Sequence, residues 1–223
     1  MLLTEKMETN LVDPKSPEVM QKSLRTLLWF GIVSIIMLFA GLTSAYLVRQ
    51  GEGKWVEFSL PRLFTLSTIL IILSSVSMQW AVKAVAKNDI KNLKNGLILT
   101  TILGIGFVIS QYMAWSQLYH NGIAFSGSIG DIKTTFNYIP SGKETLADVQ
   151  DAGNVAGSFL YVLTALHVLH LAAGIISLLF VLSRALRNQY TVVNYNGVKL
   201  CAIYWHFLDG LWVYLFFFLL YIR

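Results

Sequence analysis

Five stretches of this chain, at about Leu27–Val48, Leu63–Val82, Asn95–His120, Gly157–Ser183 and Leu200–Ile222, run through some twenty or more residues with one charged side chain among them, Asp209. Runs of that length recur too often to be core helices, and at about 1.5 Å per residue each can cross a hydrocarbon layer of roughly 30 Å. In hydrocarbon a backbone must close its own hydrogen bonds, which a helix does and an open strand does not. The fold class that follows is an all-α integral membrane protein. Its five-transmembrane-helix bundle occupies residues 27–223 behind a tail at 1–26. Composition agrees, with 55% hydrophobic and 13% charged residues, against roughly 25% charged in an ordinary soluble domain. A soluble enzyme is excluded.

Charge placement then orients the bundle. The tail sets Lys6, Lys15, Lys22 and Arg25 against Glu5, Glu8, Asp13 and Glu18. It has no apolar region ending in a small-residue cleavage pattern, so the first span is expected to insert uncleaved. Summed over the tail, the 83–94 connection (Lys83, Lys87, Lys91, Lys94) and the 184–199 connection (Arg184, Arg187, Lys199), one side carries eleven Lys and Arg; the other carries six. By the positive-inside rule the N-terminus is cytoplasmic and the C-terminus periplasmic. The net charge of +5 is dispersed between apolar runs, unlike the dense basic patch that binds nucleic acid. The connection 121–156, rich in Gly, Ser and Asp with Asp131, Glu144, Asp148 and Asp151, is expected outside. It exceeds ordinary loop lengths, so it either packs on a partner or moves.

Few residues within the spans could carry chemistry. The single Cys201 rules out an intramolecular disulfide, a four-thiolate metal site and a paired-thiolate copper centre. The fourth span holds His167 and His170, about 60° apart around a helix, on a stripe continuing through Gly174, Ser177, Val181 and Arg184. The fifth holds His206 and Asp209, flanked by Trp205 and Trp212. A short loop joins these two spans, so they are expected to be antiparallel neighbours, with Asp209 at the depth of His170 and an Asp–His pair between them. Haem ligation would need imidazoles from two helices facing one cleft, and His170 with His206 is the pair that could be so arranged. The spacing fits interhelical hydrogen bonding or a polar niche at a lipid or subunit contact better, since no other ligand types accompany the histidines. No catalytic, cofactor-binding or metal site is assigned. Arg184, at the end of the stripe, either clamps a lipid phosphate or stops the span. Gln79, Gln111 and Asn95 are expected to bond across helices, at about 0.6 kcal/mol each. Ser34, Gly41 and Ser44 form a small-residue packing face. Trp29, Tyr46, Trp55, Trp80, Trp115, Tyr204 and Tyr221 fall near span ends, where aromatic belts form.

The segment GSFLYVLTALHVLHLAAG from Gly157, followed by YWHFLDGLWVYLF from Tyr204, closely resembles the last two helices of subunit III of haem-copper cytochrome c oxidase. FAGLTSAYLVR, from Phe39 to Arg49, is similar to the end of an earlier helix in that family, and the second and third spans match in length and order. The resemblance implies the five-helix bundle without the two further helices of larger members. It also implies a non-redox subunit of an oxygen-reducing, proton-translocating terminal oxidase in a bacterial inner membrane. Such a subunit flanks subunit I, contacts subunit II, holds phospholipid and supports proton uptake, while haems and copper reside in the partner subunits. His170, Arg184, His206 and Asp209 occupy matching family positions, Arg184 resembling the lipid-phosphate arginine. With His167 and Trp205 they make up the expected lipid or subunit-interface set. The sequence departs from the family where Ser34 is followed by Ile35 rather than a glutamate, where Lys199 replaces a glutamate, and where Ala114 stands in place of an acid. The alternatives are the related accessory subunit of nitric oxide reductase and a haem-binding membrane cytochrome. A transporter is disfavoured by the absence of an inverted repeat.

Overall fold

The computed structural model of the chain describes residues 17–51, 56–58, 60–120, 123, 125, 136–138, 155–191 and 195–222. Its helices are α1 (Pro17–Gln50), α2 (Arg62–Ala86), α3 (Ile90–His120), α4 (Val155–Leu186) and α5 (Asn196–Tyr221), all five long and apolar enough to cross a membrane. They bear out the five spans, and several run past the apolar stretches. α1 begins ten residues before Leu27, and α3 five before Asn95. Lys, Gln and Glu are good helix formers in water, so loss of hydrophobicity ends the span without ending the helix.

Caps set the true ends. Asn88 and Asn188 adopt φ 59° and 53°, the left-handed region that Asn tolerates. Around Asn88 the Asp89 N–H donates to Ala84 O and the Asn88 N–H to Val85 O. Around Asn188 the Gln189 N–H donates to Arg184 O and the Asn188 N–H to Ala185 O. Both are Schellman closures. Asp89 then caps α3, its Oδ1 accepting from the Asn92 N–H at 3.0 Å, so two long helices reverse direction within Lys87–Asp89.

α2 packs on α3, α3 on α4, α4 on α5 and α5 back on α2, while α1 touches only α4 and α5 among the helices. The five-helix bundle is thus a closed ring of four with a fifth helix riding outside. α2 and α3 approach closely: a Cβ on Gly96 would lie 2.8 Å from the Ala81 Cβ. The ring interior is filled by Trp205, Trp212, Phe64, Phe107 and Met78 among others. α1 seats Ile32, Ile35, Phe39, Thr43 and Tyr46, the i, i+3, i+7 spacing of one face. Ser34, Gly41 and Ser44, expected as a packing face, lie away from that seat; Ser34 and Ser44 are exposed, and a Cβ on Gly41 would meet nothing within 4 Å. Larger side chains gain more dispersion contacts, so they take the inward positions.

β1 (Val56–Phe58) pairs antiparallel with β2 (Phe136–Tyr138), Val56 opposite Tyr138 and Phe58 opposite Phe136. This ties the α1–α2 connection to the α3–α4 connection at one end of the bundle. Ile123 is buried and its carbonyl accepts from the Tyr161 hydroxyl at 2.8 Å. Where the long connection is described, it therefore packs on its own chain; most of 121–156 lies outside the described residues. Trp55 does too. Of the other aromatics assigned to interfacial belts, Tyr46 is instead buried, edge-on to Phe159 and Phe218.

Candidate lipid and subunit-contact site

Hydroxyl side chains make the apolar interior tolerable. Thr43, Thr68, Thr100, Thr101 and Thr164 each donate back to the carbonyl four residues earlier, satisfying themselves within their own helix. Hydroxyl oxygens of this kind then accept from neighbouring helices. The Trp212 indole donates to Thr68 at 3.0 Å, Trp205 to Ser74 at 3.0 Å, and Trp115 to Thr164 at 3.0 Å. The Gln111 amide donates to Ser67 at 2.8 Å. These bonds fix the rotation of α5 and α4 against α2 and α3.

Trp205, fully buried, lies where the ring's helices converge. A Cβ on Gly104 would come within 2.9 Å of its Cη2, and one on Gly174 within 3.5 Å of its Cε3. Gly104 thus admits the indole, while a Cβ on Gly174 would crowd Leu208 Cδ1, at 3.1 Å, more than the ring. His167 is likewise fully enclosed, with ring centroids 5.8 Å from Phe107 and 5.1 Å from Trp212 and both ring nitrogens without a hydrogen-bond partner among the described residues.

The other sequence-selected residues separate by direction. His170 bonds through Nδ1 to the Leu166 carbonyl at 2.7 Å and packs edge-on to Phe39 of α1 at 5.9 Å. His206 faces α2, with Nδ1 2.7 Å from Ser75 Oγ and Nε2 3.3 Å from Gln79 Oε1. The two imidazoles do not share a cleft. Asp209, also toward α2, is buried beside the Ser75 hydroxyl, which His206 Nδ1 approaches at 2.7 Å, and neither carboxyl oxygen bonds a histidine among the described residues. The expected Asp209–His170 pair is therefore not formed. Equal depth does not supply equal azimuth, and on α5 it is Tyr204, not Asp209, that reaches α4, donating to the His170 carbonyl at 3.3 Å.

Arg184 is exposed at the end of α4, its guanidinium 5.4 Å from the Phe180 ring centre and its Nε donating to Gln189 Oε1 at 3.3 Å. Tyr190, in the following connection, is buried against α5; burial raises its phenol above the ordinary range, against the pull of Arg184. Of the six selected residues, His167, Trp205 and Asp209 are enclosed by this chain, while His170, Arg184 and His206 reach the outside of the ring. Gln79 and Gln111 do bond across helices, whereas Asn95 is exposed. Sequence reasoning misses the α2 hydroxyls Ser67, Thr68, Ser74 and Ser75. Their recurrence at close steps within one span is the signal that marks them as acceptors.

A sequence model of the family described as cytochrome c oxidase subunit III matches residues 132–223. The probable cytochrome c oxidase subunit 3 of Nocardia farcinica is 28% identical over 200 residues, 87% of this chain and 84% of that protein. That of Mycobacterium leprae is 28% identical over 206 residues, 90% and 88%. The cytochrome c oxidase subunit 3 of Spodoptera frugiperda is 31% identical over 151 residues, 68% of this chain and 83% of that protein. The chain belongs to the cytochrome c oxidase subunit III family. Among its described residues are five helices long and apolar enough to cross a membrane, as a multi-pass member of that family requires. Of the three positions where the resemblance implies an acid, Ile35 sits on the inward face of α1 and Ala114 inside the ring, both buried, whereas Lys199 is exposed, its ammonium 4.2 Å from the Tyr195 ring centre.

Proposed function

We propose that this chain is the non-redox subunit III of a haem-copper terminal oxidase in a bacterial cytoplasmic membrane, with its N-terminus cytoplasmic and its C-terminus periplasmic. Oxygen reduction and the haem and copper groups belong to its partners, subunits I and II. The chain flanks subunit I, holds phospholipid and supports proton uptake. The observation that carries this reading is its match over 84% to 88% of the length of relatives named as this oxidase subunit.

The geometry supports a division of labour. His167, Trp205 and Asp209 act inside the ring, where they set how α2 to α5 pack. His170, Arg184 and the His206–Gln79 pair act at its outside, on lipid or a neighbouring subunit. Arg184, exposed beyond the apolar run with a planar fork of donors, suits a lipid phosphate.

Affinity purification in mild detergent followed by native mass spectrometry tests the assignment. The expected result is an equimolar complex with a large haem-carrying oxidase polypeptide. Recovery with the large subunit of nitric oxide reductase, or recovery alone, contradicts it. Asp209→Leu should lower the occupancy of this chain in that complex; unchanged occupancy and turnover would remove Asp209 from the account.

A further inference from the structure

The start of α1 and the start of α5 meet at the end of the bundle that carries the α2–α3 turn. Asn196 donates to the Gln21 side chain there, bridging the two helices. Beside this bridge lies an open groove of about 440 Å³ whose charged lining is Lys22, Arg25 and Lys199. No carboxylate lines it among the described residues. Three cations thus share one concavity, and like charges brought together repel unless an anion enters. The positive end of the α5 dipole adds to the same field.

The level of the groove identifies the anion. Lys22 and Arg25 stand just before the apolar run that opens at Leu27, and Lys199 immediately before the one that opens at Leu200. The cations therefore lie where the hydrocarbon ends and phosphate groups begin. The lining continues inward through Leu200 and Ile203, an apolar wall for an acyl chain directly beneath the charged mouth. A soluble anion has no use for that wall, whereas a lipid occupies both parts at once.

We propose that this groove binds the phosphodiester headgroup of an anionic phospholipid, with Lys22, Arg25 and Lys199 on the headgroup and Leu200 and Ile203 along its chain. It is separate from Arg184, which lies on α4. The inference deepens the lipid-holding part of the function above and rests on these helices spanning a bilayer.

The test uses the purified oxidase complex in nanodiscs of phosphatidylcholine containing phosphatidylglycerol. Phosphatidylglycerol retained through detergent washing is counted by native mass spectrometry. Removing all three charges, in Lys22→Gln/Arg25→Gln/Lys199→Gln, should weaken retention of one such lipid on the order of a hundredfold, and Lys199→Gln alone about fivefold. The single variant keeps the test decisive if the triple one fails to assemble. Arg184→Gln should leave this lipid in place, and excess inorganic phosphate should not displace it. Equal retention in wild type and Lys199→Gln, or displacement by phosphate, overturns the site. Loss in Arg184→Gln with retention in the triple variant overturns it while leaving the lipid-holding function intact. A complex that retains no anionic lipid contradicts both.

Discussion

Gly104 and Gly106 stand two residues apart on α3 and face different surroundings. A Cβ at Gly104 meets Trp205 Cη2 at 2.9 Å, whereas one at Gly106 meets only Leu70 Cδ1 at 3.8 Å. Gly104→Val should therefore displace the indole and cost about 1–3 kcal/mol by overpacking. Gly106→Ala should be neutral or slightly stabilising, since Ala favours helix over Gly. Thermal unfolding of the solubilised protein, followed by tryptophan fluorescence, separates the two. At this scale the sequence singled out the polar residues within the spans but not their contacts. His167 and His170 share a three-residue step, but the 60° between them takes one ring into the interior and leaves the other against α1. Asp209 was legible as a polar residue in a span. Its neighbours were not, because they are set by the rotation of α5 that Trp205 and Trp212 impose through hydroxyls on α2.

The elements differ in how firmly they are held. The α2–α3 reversal depends on Asn88 in the left-handed region and Asp89 as a cap. Asp89→Ala should cost about 1 kcal/mol, and Asn88→Val more than Asn88→Gly, because a β-branched residue resists positive φ. Hydrogen exchange at the first turn of α3 reads both. α1 lies outside the ring and holds α4 and α5 by one face. Phe39→Ala empties the centre of that face, where Phe39 meets His170, and should weaken the seat by about 3 kcal/mol. Exchange should quicken along α1 while α2 to α5 keep their protection; loosening of all five together would mean that α1 is integral to the ring. The existence and order of the helices were readable because charge-free length is a strong signal. Their ends were less so, since capping operates in water beyond the apolar run.

For the whole molecule, the four-plus-one arrangement was hidden in the sequence for a physical reason. A lipid-facing side chain is as apolar as a core one, so the periodic contrast that reveals the buried face of a soluble helix is largely absent here. What the sequence did carry at this scale was charge asymmetry, and it predicts sidedness. Cys201 is the single native cysteine and is buried, so cysteines introduced at either terminus report cleanly. A membrane-impermeant maleimide applied to intact spheroplasts should label the C-terminus and spare the N-terminus; the reverse pattern would invert the topology. In the function proposed above, this chain seats beside a redox-active neighbour and passes no electrons itself. The most direct test of that is the haem content of the polypeptide separated from its complex, read as a reduced-minus-oxidised spectrum against the intact assembly. The full haem signal should stay with the remaining subunits, and none should travel with this chain. A reducible Soret and alpha band on the isolated polypeptide, lost on changing His167, His170 or His206, would contradict it.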